Sequence, residues 1–208
     1  MYTPRSFQVD DKETLHALMR DFNFGLVFSQ GEKGAVATHL PFMIDTERGK
    51  FGTLIAHLAR ANPHWKSWNE ETELLVVFQG PHSYISPAWY KMQDTVPTWN
   101  YAAVHVYGRP RLIHDSEQLR TIVEDLVNFQ EDQIGNPWDS TKMESEVETL
   151  LKAIVGFEIP IGQMEGKFKF NQNRSREDQE SVAQALSESN NSTYRGVAEI
   201  MKKNLNGN

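Results

Sequence analysis

Cysteine is absent from the 208 residues, and that alone removes disulfides, thiolate metal sites and a cysteine nucleophile. It agrees with a reducing cytoplasm as the expected location. Long apolar runs are missing too. No stretch approaches the ~18 consecutive apolar residues of a membrane span, and the opening MYTPRSFQVDD lacks the apolar core of a signal peptide. Positive charge is scarce, with 21 Lys and Arg against 28 Asp and Glu for a formal net charge of −7. No overall basic field draws the chain to nucleic acid or to an anionic membrane, so a DNA contact would need a local patch. Several catalytic signatures are also lacking. Seven histidines occur without HExxH or another ligand spacing, which gives no reason to expect a metal. There is no Gly-x-Ser-x-Gly elbow, no Gly-x-Gly-x-x-Gly and no Walker loop.

What is present is 39% hydrophobic residues and 24% charged, enough for a single domain over residues 1–208. Leu15, Leu18, Met19 and Phe22 stand at helical spacing behind an Asp10/Glu13 capping pair. Two apolar runs between 24 and 44 flank QGEKG and predict a hairpin, and 51–57 and 73–80 predict further strands. Gly80-Pro81-His82 reads as a break before a short strand at 83–90. Residues 99–107 form a strand whose Val104 and Val106 alternate with His105 and Tyr107, and 108–114 continues as strand or edge.

The period then changes. Leu119, Ile122, Val123, Leu126 and Phe129 predict one amphipathic helix, and Met143, Val147, Leu150, Leu151 and Ile154 a second. FEIPIG and KFKF read as two strands about a turn at Gly166, Ser175 with Asp178 as a capping box for a helix to 186, and 198–205 as a last helix. The expected class is mainly β with α additions at about 115–155 and 175–205, an antiparallel barrel-like sheet.

Three clusters carry chemistry. AHLARANPHW, residues 56–65, passes from a strand through His57 and Arg60 into Asn62-Pro63, a favoured helix start. It is either an ordinary strand-to-helix connection or an anion site built from Arg60 and free helix N–H groups. Lys167, Lys169, Asn171, Gln172, Asn173 and Arg174 repeat that chemistry before Ser175, or form a solvated loop. Trp65, Trp68, Tyr84, Trp89, Tyr90, Trp99, Asn100 and Tyr101 concentrate aromatic surface that belongs to a core or interface, or stacks on a planar ligand.

The stretches MYTPRSF, THLPF, HLARANPHW, FQGPHSYISPAWY, VPTWNY and KFKFNQNRS together resemble, in collinear order, the PaiB-type FMN-binding negative transcriptional regulators. The resemblance implies an FMN-binding split β-barrel working as a homodimer, with flavin near the subunit interface and a role in repressing protease synthesis and sporulation. It implies that Thr38, His39 and Leu40 line the flavin ring and that His57, Arg60 and Asn62 hold its phosphate. Lys167 and Gln172 become contacts from the last strand, and Trp99 with Asn100 close the pocket from the partner. KFKFNQN departs from a KLSQN-like wording at Phe170 and Asn171. Three readings stay open at this point: a flavin-binding regulator, an FMN-dependent oxidoreductase whose regulatory effect is indirect, or a barrel that has lost flavin and acts as a binding partner.

Overall fold

The computed structural model describes residues 1–31, 34–92, 95–135 and 144–207. Among these, the strands are β1 (Gln8–Val9), β2 (Phe24–Gly31), β3 (Gly34–Pro41), β4 (Met43–Asp45), β5 (Thr53–Ala59), β6 (Leu74–Ile85), β7 (Thr98–Gly108), β8 (Arg111–Ile113) and β9 (Ile154–Lys169). The helices are α1 (Lys12–Asp21), α2 (Ser116–Ile134), α3 (Glu144–Leu151), α4 (Arg176–Ser187) and α5 (Ser192–Leu205). The hydrogen-bonded order is β3-β2-β6-β7-β9-β5-β4, with β1 and β8 also pairing with β9. The registers of β1, β2, β3, β4, β5 and β8 with their neighbours are antiparallel, and the path is open, ending at β3 and β4. The expected mainly antiparallel sheet with helical additions is therefore present.

The chain divides into two compact units. One comprises Met19–Phe78 and Val106–Met164, and the other Met1–Leu18, Gln79–His105 and Glu165–Asn208. In the first, Leu54, Ala56 and Leu58 alternate into the core along β5, where Phe157 meets Phe42 and Trp68 edge-on. Each fully buried large apolar side chain contributes about 1.5–3 kcal/mol. Helix α2 is capped by the Asp115 carboxylate on Gln118 N–H and ended by Gly135 at φ 73°. It lies against β9 at Gly156, where an added Cβ would come within 2.8 Å of Leu119 Cδ2.

In the second unit, α4 and α5 pack Val182, Ala183 and Leu186 with Val197, Ala198 and Met201, all buried. Ser175 Oγ accepts from Asp178 N–H as a cap. The expected return bond of a capping box is replaced: the Asp178 carboxylate accepts from Lys91 and Met92 N–H at 2.8 and 3.3 Å, tying the loop after Tyr90 to α4.

Several expectations are corrected. β6 runs unbroken through Gly80-Pro81; its buried positions shift from Leu74, Val76, Phe78 and Gly80 to Pro81, Ser83 and Ile85. The buried face thus changes phase between Gly80 and Pro81, at a position where the strand accommodates a proline without an N–H. β9 is one strand of 16 residues, and Gly166 makes no turn. A Cβ on Gly166 would stand 2.3 Å from Leu15 Cδ2 and 2.7 Å from Val9 O, so close packing of β1 and α1 selects glycine here. The cap of α1 comes from Asp11, whose carboxylate accepts from Thr14 N–H and Oγ1–H. Phe22, just past that helix, and Leu150, on the outer side of α3, are exposed. Residues 140–143 of the expected second helix lie outside the described residues.

Candidate functional site

The end of β5 and the turn after it are organised by Arg60 and Asn62. Arg60 is clamped on three successive carbonyls: its Nε donates to Lys152 O at 2.9 Å, its backbone N–H to Ala153 O at 2.8 Å and its Nη2 to Ile154 O at 2.8 Å. Nη1 has no hydrogen bond among the described residues. The guanidinium lines a cavity of about 430 Å³ together with His114, Arg120, Lys152, Glu117 and Glu148. Cations and carboxylates are mixed there, and Arg120 is already paired with Glu144 at 2.8 Å.

Asn62 works in another direction. Its Oδ1 accepts from His64 N–H at 3.0 Å, and its Nδ2 donates to Thr38 Oγ1 on β3 at 3.3 Å. The expected Asn62 cap with Pro63 at the first position is present, but the element is a five-residue 3-10 turn, Pro63–Ser67. So short a turn offers little helix dipole, and the anion site expected from helix N–H groups reduces to side-chain donors. His57 extends from β5 between the core positions Ala56 and Leu58 and is half-buried. Its Nδ1 is buried with no partner among the described residues, and burial pushes the imidazole pKa below its ordinary value.

A polar relay that the sequence does not announce lies beside this turn. His64 is buried at 3% exposure. Its Nδ1 stands 2.8 Å from Thr38 Oγ1 and its Nε2 2.8 Å from Ser29 Oγ, to which Trp68 Nε1 also donates at 3.4 Å. Burial lowers the His64 pKa and keeps the ring neutral. His64 joins the site by its bonds to Thr38 and Asn62, and Ser29 and Trp68 join it through His64. Trp68 stands among the aromatics and His64 within residues 56–65, but nothing in the sequence pairs them.

The other predicted residues are placed as follows. Along β3, Thr38 and Leu40 share one face and His39 the other, where it is exposed and stacked on Phe24 with ring centroids 6.1 Å apart. Trp99 is 51% exposed on β7 beside Tyr84 and His82. Its neighbour Asn100 points the opposite way into the core, donating to Met201 Sδ at 3.6 Å while its Oδ1 has no partner among the described residues. Lys167 Nζ donates to Tyr2 O at 3.1 Å and lies 5.3 Å from the Tyr101 ring centroid. Gln172 is taken up by the backbone, accepting from Phe170 N–H at 2.7 Å and donating to Phe168 O at 2.5 Å. That bracing holds Asn171 at φ 62°, where its amide donates to Tyr90 Oη at 3.2 Å. Thr38, His39, Leu40, His57, Arg60 and Asn62 thus belong to one unit, and Trp99, Asn100, Lys167 and Gln172 to the other.

Residues 1–163 match the family model described as "Putative FMN-binding domain". A relative named protease synthase and sporulation protein PAI 2, from Bacillus subtilis, is 33% identical over 207 residues, covering 99% of this chain and 98% of its own. Among solved structures, the FAD and heme binding protein from Mycobacterium smegmatis superposes with a TM-score of 0.57 at 14% identity, over 78% of this chain and 73% of that one. The flavocytochrome Anf3 from Azotobacter vinelandii does so at 0.55 and 17%, over 81% and 72%. At such identities these two speak for the fold alone, the split barrel of flavin proteins.

Proposed function

Starting from the premise that the chain belongs to the FMN-binding domain family, we propose that it is a PaiB-like regulatory protein whose working ligand is FMN. The observation that supports this best is a set of polar groups about one turn, two with hydrogen-bonding capacity unfilled among the described residues and one braced by its neighbours. Arg60 keeps Nη1, His57 keeps a buried Nδ1, and the half-buried Thr38 hydroxyl is braced by Asn62. A phosphate ester of a heteroaromatic ring, rich in acceptors, suits such donors. Arg60 would hold the phosphate, already oriented by its two side-chain bonds to carbonyls, and Thr38 an acceptor of the ring or ribityl chain. Trp99, exposed on β7, would lie at a homodimer interface. FMN supplies reversible electron or hydride acceptance when bound, and the protein positions it and limits water.

The regulatory half of the reading follows the relative's sporulation name and is proposed here as indirect. Helix α2 carries Glu117, Glu124, Asp125, Glu131 and Asp132 against the single Arg120. A helix so acidic does not enter a DNA groove. Absorbance of the protein purified without added flavin, followed by fluorescence titration with FMN, tests the ligand. Flavin bands released on denaturation, or saturable uptake, are expected; a colourless protein that takes up none refutes the reading. Gel shifts over a salt series should give only nonspecific binding, and a sequence preference would restore direct repression.

A further inference from the structure

The relay around His64 determines which way the Thr38 hydroxyl points its proton. Four facts enter. Trp68 Nε1 and Asn62 Nδ2 can only donate, so Ser29 Oγ and Thr38 Oγ1 each already accept one bond. Ser29 is buried, and among the described residues it has no other acceptor for its own proton than His64 Nε2. Thr38 is half-buried. Burial favours the neutral imidazole, in which one ring nitrogen donates and the other accepts.

Two tautomers are possible, and they are not equivalent. With the proton on Nε2, the ring donates to Ser29, and the Ser29 O–H is left buried with nothing to bond. With the proton on Nδ1, Ser29 O–H donates to Nε2 and Nδ1–H donates to Thr38 Oγ1. Every buried donor is then satisfied. In that arrangement Thr38 Oγ1 accepts twice, from Asn62 Nδ2 at 3.3 Å and from His64 Nδ1 at 2.8 Å, and both its lone pairs are occupied. Its own proton is the one bonding capacity that remains.

We propose that His64 acts as a positioning residue that makes Thr38 a one-way hydrogen-bond donor, so that position 38 selects a ligand atom that accepts and rejects one that donates. This rests on the flavin reading for the identity of the ligand, while the direction of the hydroxyl rests on the relay alone. For an isoalloxazine the acceptors are its carbonyl oxygens and unprotonated ring nitrogens, and a protonated ring nitrogen meeting the same hydroxyl would lack a partner.

The two halves are tested separately. Long-range ¹H–¹⁵N correlation on ligand-free protein with ¹⁵N-labelled histidine reads the tautomer of each ring, and His64→Asn assigns the signal. A neutral His64 protonated on Nδ1 at pH 7 is expected, and protonation on Nε2, or on both nitrogens, overturns the proposal. FMN titrations of Thr38→Ser and Thr38→Val then read the ligand half. Serine should bind as wild type, and valine, which loses the donor at nearly the same volume, roughly tenfold more weakly. Equal affinity of the valine variant overturns the role of position 38. Failure of the wild-type chain to bind FMN at all removes the flavin reading and the ligand half with it, leaving the tautomer result to stand or fall by itself.

Discussion

Arg60 has a structural and a proposed ligand role on different nitrogens. Its Nε and Nη2 hold Lys152 O and Ile154 O, so Arg60→Ala should cost about 1.5–3 kcal/mol of stability in urea unfolding, the range for bonds involving a charged group. The same variant should also weaken FMN binding, through Nη1; loss of stability with unchanged FMN affinity would confine Arg60 to the clamp. The histidines give a pH prediction with a definite sign. Burial lowers the pKa of His57, of His64, and of His105, where the N-terminal ammonium adds to the effect and Glu165 opposes it. The unfolded chain, titrating near ~6.5, therefore binds more protons than the folded one below that pH. Stability is complete above about pH 6.5 and is lost as the pH falls through it, so the urea midpoint should be lower at pH 5.5 than at 7.5. A midpoint that rises on acidification would mean that these rings are not buried in neutral form.

At the scale of elements, the local signals held where local chemistry decides. The β2–β3 hairpin pairs Phe24 with Pro41 through Gly31 with Gly34, as its two apolar runs lead one to expect. Asn62 and Ser175 cap the elements that they precede. Those devices act within a few residues and are legible for that reason. Gly80 and Gly166 are not, because the contacts that select them come from distant parts of the chain. Gly166 faces Leu15 and Val9 across β1 and α1, whereas in the sequence it looks like punctuation between two short strands. Replacing it by alanine should lower the melting temperature with a penalty of about 1–3 kcal/mol, the usual range for overpacking. A variant as stable as wild type would show that α1 is free to move away. Asp178→Ala should likewise remove the bonds to the N–H groups of Lys91 and Met92, at roughly 0.5–1.5 kcal/mol for each bond lost. Burial opposes ionisation of Asp178, yet those N–H groups, Ser175 and Arg174 together hold its carboxyl below the ordinary range.

For the whole molecule, the proposed homodimer has a place to be tested. Trp99, Tyr84 and Val96 are exposed large hydrophobics, and a Trp at 51% exposure is uncommon on a surface that stays in water. Light scattering after size exclusion should give a dimer for the wild type and a monomer for Trp99→Glu; an unchanged dimer mass would move the interface elsewhere. The sequence by itself determined the class of fold, the absence of thiol chemistry, the acidic balance and the likeness to an FMN-binding family, because composition, periodicity and collinear motifs are carried by residues near one another in the chain. Only the tertiary structure decided the chemistry at AHLARANPHW. Within it, Arg60 turned out to be anchored on residues 152–154 and Asn62 on Thr38. His64, one of seven histidines and given no role of its own in the sequence, became the hub of the relay through partners 26 and 35 residues away, because a buried imidazole must find both a donor and an acceptor wherever the fold supplies them.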